Sequence, residues 1–184
     1  SSQIQAFSST QIAALTTDAL QGLTSSAISG LETDDMATFD SADILALGTD
    51  IIGLNTADLS LLNAAQAAGL TSSQIQAFSS TQIASLTTNA LQGLTSLATF
   101  DSADILALGN DIVGLNTADL SLLNAAQAAG LTSSQIQAFS STQIASLTTD
   151  ALQGLTSSAI SGLEADDIAT FDSADIQALG IDIN

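Results

Sequence analysis

A large apolar residue followed three positions later by a second, with small polar residues between one such pair and the next, recurs about every eight residues along this chain. Ile4/Phe7, Ile12/Leu15, Leu20/Leu23, Ile28/Leu31, Met36/Phe39 and Ile44/Leu47 stand in strict register. The series continues through Ile51/Leu54, Leu59/Leu62, Ala67/Leu70 and Ile75/Phe78 to Ile176/Leu179. Apolar residues at i and i+3 fit a helical turn; a strand would alternate with period two. A continuous helix fails on arithmetic. At about 100° per residue, eight residues turn about 800°, which leaves about 80° of drift per unit. Supercoiling absorbs only about 20° per heptad. The chain must therefore break and reset in every octad.

The polar residues show where it resets. Ser8, Thr16, Thr24, Asp40, Gly48, Asn55, Asn63 and Thr71 each follow a second apolar residue. Three positions further on, Gln or Asp recurs, as in Ser8/Gln11, Asp40/Asp43, Asn55/Asp58, Asn63/Gln66 and Thr71/Gln74. That is capping-box spacing: the cap side chain holds an orphan N–H and the N3 side chain reaches back to the cap. Ala19 and Ala27 break the pattern. Each octad then reads as a cap, about one helical turn and a tight exit. Helices this short are unstable alone and need neighbours to stack on. The residue before the second apolar is usually small (Ala6, Ala14, Gly22, Gly30, Gly53, Gly69), which would let the next turn's backbone approach closely. The expected fold is all-α: a solenoid, or superhelix, of short one-turn helices stacked every eight residues. Its Ile/Leu pairs face the axis and its Ser/Thr/Asp caps line the surface. Phe7, Phe39, Phe78, Phe100, Phe139 and Phe171 occupy the second apolar position and read as core anchors.

A longer period overlies the octads. The opening SSQIQAFSSTQIA returns at Ser72 and at Ser133, dividing one array over residues 1–184 into blocks 1–71, 72–132 and an incomplete 133–184. The first block contains a seven-residue step, Ile44 to Ile51. The second lost about one octad where SSAISGLETDDMATF became SLATF, leaving a six-residue step from Leu91 to Leu97. Both short steps fall in the polar exit. Loss of a unit with intact flanks indicates modular units. The chain starts at Ser1, which matches Ser72 inside a repeat, and is expected to be an excerpt or mature piece of a longer array.

Composition narrows the chemistry. The chain has no Lys, Arg or His, and its nineteen Asp and Glu give a net charge of −19. Phosphate neutralisation, and with it nucleic-acid binding, has no driving force. Without His or Cys there is no imidazole or thiolate chemistry, and a Ser nucleophile lacks a basic partner. No enzyme and no resident cofactor are expected. No apolar run approaches the ~18 residues of a membrane span, so no membrane insertion is expected. The apolar fraction of 46% separates the chain from disordered acidic tails.

The densest acidic stretch, Glu32, Asp34, Asp35, Asp40 and Asp43, recurs as Glu164, Asp166, Asp167, Asp172 and Asp175. Adjacent rungs could supply these oxygens to calcium, which takes several carboxylate and carbonyl ligands. The competing reading is helix-end chemistry on a solvated face. It fits better, because Asp and Gln interchange at one phase and Gln is a poor calcium ligand. The mixed Ser, Thr, Asp, Asn and Gly at the cap phase argue against a flat ice-binding face. No Asn-X-Ser/Thr sequon is present.

The run QIQAFSSTQIAALTT, with TSSQIQAF and STQIASLTT later, resembles the QIxALTTxQIxAL octapeptide arrays of very large bacterial exported proteins, found beside adhesin, RTX-like and surface-layer-like segments. The resemblance implies an extracellular or cell-surface polypeptide of structural or adhesive use, with no catalytic residues to carry over. The expected role is structural, in an extracellular bacterial filament, sheath or surface stalk. The partner would be the chain itself, through fibre self-association, or neighbouring repeats of one longer chain. The alternative is a spacer or ligand-binding face of a giant secreted adhesin, with calcium dependence as a variant of that role.

Overall fold

The computed structural model describes residues 3–95, 97 and 99–180. Among these the regular structure is helical throughout, in elements of three to six residues and with no strand. The caps explain the starts. Thr71 Oγ1 accepts the Gln74 N–H at 3.3 Å while Gln74 Oε1 accepts the Thr71 N–H at 2.8 Å. Thr16 and Thr24 cap the N–H groups of Ala19 and Ala27 without a reciprocal bond, since alanine has no side chain to return. The exits follow from the backbone. In helix Ser72–Ala77 the next residue, Phe78, turns to φ −67°, ψ 145°, and its N–H closes back on the Ile75 carbonyl at 3.1 Å. The second apolar residue thus aims inward on an extended bend, which performs the reset that the drift arithmetic demands.

The chain divides into two compact units, Ser1–Thr99 and Phe100–Asn184. In each, the helices pack on the third helix further along, so one turn of the coil takes three octads. In the first unit Ser9–Ile12, Thr33–Met36, Thr56–Ser60 and Ser80–Ile83 form one stack. Thr17–Gln21, Ser41–Ala46, Ala64–Ala67 and Thr88–Leu91 form a second. Ser25–Ile28, the 3₁₀ turn Gly48–Gly53 and Ser72–Ala77 form the third. The second unit repeats the plan. Its stacks are Ser102–Ala107 with Ala125–Ala128, Thr149–Gly154 and Ser173–Ala178; Gly109–Gly114 with Ser133–Ala138 and Ser157–Ile160; and Thr117–Leu120 with Ser141–Ile144 and Ala165–Ile168. The first apolar residue of nearly every octad is buried, with Ile28, Ile44, Ile51, Leu59, Ile83, Ile105, Ile112 and Ile136 fully so. Each such side chain contributes about 1.5–3 kcal/mol, which a lone four-residue helix could not gather.

Small residues before the second apolar position let successive turns touch. A Cβ added to Gly69 would run into the Ser41 carbonyl, and one on Gly130 into that of Ser102. These are the close backbone approaches expected from the sequence.

Two expectations need correction. Gly48 is not a cap. It adopts φ 53° and joins helix Ser41–Ala46 directly to the 3₁₀ turn Gly48–Gly53, so the seven-residue step replaces cap and exit with one left-handed glycine. Gly109 does the same at φ 51° in the second unit. Phe7 is not a core anchor. It is 44% exposed, against 7% for Phe78 in the same SSQIQAF segment, and Leu15 and Leu23 are likewise only half-buried. Phe171 is half-buried too, whereas Phe39, Phe100 and Phe139 lie in the core. The six-residue step from Leu91 to Leu97 includes residue 96, which lies outside the described residues.

Candidate functional site

Where the N3 position of an octad is Gln or Asp, it carries much of the polar chemistry of the coil. Its side chain begins as a capping group, and there Gln and Asp behave alike. Gln82 Oε1 accepts the Ser79 N–H at 3.1 Å, and Asp58 Oδ2 accepts the Asn55 N–H at 3.1 Å. What remains of each side chain separates them. The Gln amide nitrogen points back along the coil axis to the preceding turn. Gln66 Nε2 donates to the carbonyls of Met36, at 2.6 Å, and Phe39, at 2.9 Å. Gln74 donates to Ile44 at 2.7 Å, and Gln82 to Ile52 and Leu54 at 3.0 and 2.9 Å. In the second unit Gln127 donates to Phe100, Gln135 to Ile105 and Gly109, and Gln143 to Val113 and Leu115. The acceptors lie 26 to 30 residues earlier, about one coil turn. One side chain thus starts its own helix and satisfies carbonyls of the turn beneath, groups that would be expensive to bury unpaired.

This seam was missed at the sequence level, although its signal was present. Gln and Asp are interchangeable in the local cap pattern, and only the extra reach and donor of Gln tell them apart. A second inter-turn link was also unread. Asp50 accepts the Ser25 N–H at 2.7 Å and Asp150 the Ala125 N–H at 3.0 Å, each from 25 residues away. These carboxylates cap helices one turn back, where the helix dipole favours negative charge.

The acidic clusters are distributed over two stacks. Glu32, Asp34 and Asp35 belong to Thr33–Met36, while Asp40 and Asp43 belong to Ser41–Ala46. Asp40 Oδ1 accepts the N–H groups of Ala42 and Asp43 at 2.8 and 3.0 Å, and Asp43 accepts that of Asp40 at 3.0 Å. Asp35 accepts the Glu32 N–H at 2.9 Å; Asp34 lies in the first turn. The second copy repeats this: Asp167 accepts from Glu164, Asp172 from Ala174 and Asp175, and Asp175 from Asp172, with Asp166 in the first turn. Among the described residues, no group of three or more acidic side chains is arranged to hold a metal ion.

Among the described residues, three carboxyl groups depart from the ordinary carboxylate range. Burial pushes Asp58 above the usual carboxylate range; the Asn55 N–H opposes this and the charge of Asp35 reinforces it. Burial likewise raises Asp104, against the Asp101 N–H and with the charge of Asp101, and raises Asp119 against the Asn116 N–H. Asp58 is fully buried, and its Oδ1 has no hydrogen-bond partner.

The helices, their stacking and their inter-turn bonds define a helical repeat array, a structural solenoid. Two segments, residues 51–88 and 112–149, match the family model described as the ALTTAQ repeat. They occupy equivalent places in the two units. No curated protein and no solved structure gave a match. Among the described residues, no helix is long and apolar enough to cross a membrane.

Proposed function

We propose that this array is a non-catalytic structural element of an extracellular bacterial filament, sheath or surface stalk. The observation that carries this reading is the use to which its polar groups are put. The side chains of Gln66, Gln74 and Gln82, and of Gln127, Gln135 and Gln143, are occupied in joining one turn to the turn before it. Such a scheme extends a coil turn upon turn and commits these side chains to bonds within the array. Exposed leucines add a means of lateral contact. Leu45 and Leu61 are 53% and 52% exposed, and their counterparts Leu106 and Leu122 are 55% and 65%. Apolar residues repeated on the outside of a coil suit side-by-side association of like chains. The strong negative charge and the lack of any Lys or Arg, which denies trypsin a cleavage site, suit a durable exported material.

Electron microscopy of native material tests the reading. Filaments with a regular helical rise are the expected result. A monodisperse monomer at all concentrations would contradict self-association. Replacing Leu45, Leu61, Leu106 and Leu122 together by Ser should abolish lateral bundles while leaving the helical circular dichroism unchanged.

A further inference from the structure

Asp58 stands where the three octads that follow it have Gln66, Gln74 and Gln82. Gln66, one octad on, donates to the carbonyls 30 and 27 residues before it, those of Met36 and Phe39. The same offsets from Asp58 lead to the carbonyls of Ile28 and Leu31. Asp58 makes the same cap with its Oδ2, yet Oδ1 is buried without a partner. A carboxylate oxygen has nothing to donate to carbonyls, whereas a carboxylic acid has one O–H.

We propose that Asp58 is a proton-operated seam between helix Thr56–Ser60 and the end of helix Ser25–Ile28, at the carbonyls of Ile28 and Leu31. With a proton on Oδ1 it joins its turn to the turn beneath, as Gln does elsewhere; without one it leaves that joint open. The step is a simple protonation: solvent or buffer acid supplies the proton, an O–H bond forms on Oδ1, and the carboxylate charge disappears.

The surroundings favour the neutral form. The preceding helix of the stack, Thr33–Met36, brings Asp34 and Asp35, with Glu32 at its cap. The following helix, Ser80–Ile83, brings no titratable group. Of the chain neighbours, Gly48–Gly53 carries Asp50, which is bonded to the Ser25 N–H, and Ala64–Ala67 carries none. No cation exists in the chain to offset a buried carboxylate. Desolvation and the Asp35 charge act in the same direction. The consequence is a coil whose first unit tightens in mild acid and loosens toward neutral pH. The inference rests on the fold alone and stands whether or not the chain forms filaments.

The test is a carbon-detected NMR titration of the Asp58 side-chain carboxyl in the full chain, with thermal melts of wild type and Asp58→Asn across the same pH range. The expected result is an Asp58 midpoint above the ordinary carboxylate range and a melting temperature that rises as pH falls. In Asp58→Asn that rise should shrink, and in Asp35→Asn the Asp58 midpoint should drop. An Asp58 midpoint at or below the ordinary range, or an Asp58→Asn melt with the wild-type pH dependence, overturns the proposal. If Asp58→Asn fails to fold, the wild-type titration decides alone.

Discussion

Helices Thr56–Ser60 and Ser80–Ile83 are successive members of one stack, with near-identical caps, yet they hold the coil differently. At the second, Gln82 spans to the carbonyls of Ile52 and Leu54. At the first, Asp58 caps its helix and stops there, with one oxygen buried and unpartnered. Both begin a helix equally well. Only a side chain with a donor left over also closes the joint between turns. An octad therefore has two separable duties, starting its own helix and fastening the turn before it, and N3 is where they meet.

The largest effect should come from the feature that both kinds of rung share. Gly69→Ala drives a Cβ into the Ser41 carbonyl and should cost about 3 kcal/mol, equally at pH 5 and pH 8, as read by urea denaturation. A loss that varied with pH would mean that close approach and the N3 chemistry are not separate. Next comes Gln74→Glu, which turns a joined rung into a capped-only one. Gln74 is 1% exposed and its amide serves the Ile44 carbonyl, so the variant should lose about 2 kcal/mol at neutral pH and recover part of it in acid. Full stability at neutral pH would show that the inter-turn bond contributes nothing net.

The wild-type pH dependence is a smaller effect with a definite sign. Asp58, Asp104 and Asp119 all have raised folded-state values. Their contribution is fully present below the unfolded carboxylate value, about 3.9, and is lost as pH rises through the folded values. Thermal unfolding should therefore move upward as pH falls from 7 into the carboxylate range. A downward shift over that interval would contradict the burial assigned to these groups. Smallest is Thr16→Ala, which removes only an exposed cap to Ala19 and should cost about 1 kcal/mol with no pH dependence.

Much of this was legible in the sequence, for physical reasons. Period eight is incompatible with a continuous helix, so the breaks at Ser8, Thr16, Thr24 and Asn55 were forced; cap-type side chains marked all four, and the capping box is complete at Ser8 and Asn55. Glycine recurring before the second apolar position signalled close approach, which Gly53 and Gly69 show. Three octads to the turn was not legible. That number depends on the bend at each extended exit, as at Phe78 and Leu54, which local propensity does not set. Gly48 misled because a polar or small residue at cap phase looks like a cap; only its positive φ distinguishes it. The glutamine seam was hidden because Gln and Asp are equivalent in the local motif and differ only toward a turn about 30 residues away.

The central claim is that the coil closes three octads to the turn and is fastened there by glutamine. Nuclear Overhauser contacts from the side-chain amide protons of Gln74 and Gln135 test it most directly. Contacts to the backbone of Ile44 and Ile105, with slow exchange of those amide protons, are the expected result. Amide protons that exchange freely and touch only the local residues around Thr71 and Thr132 would contradict it.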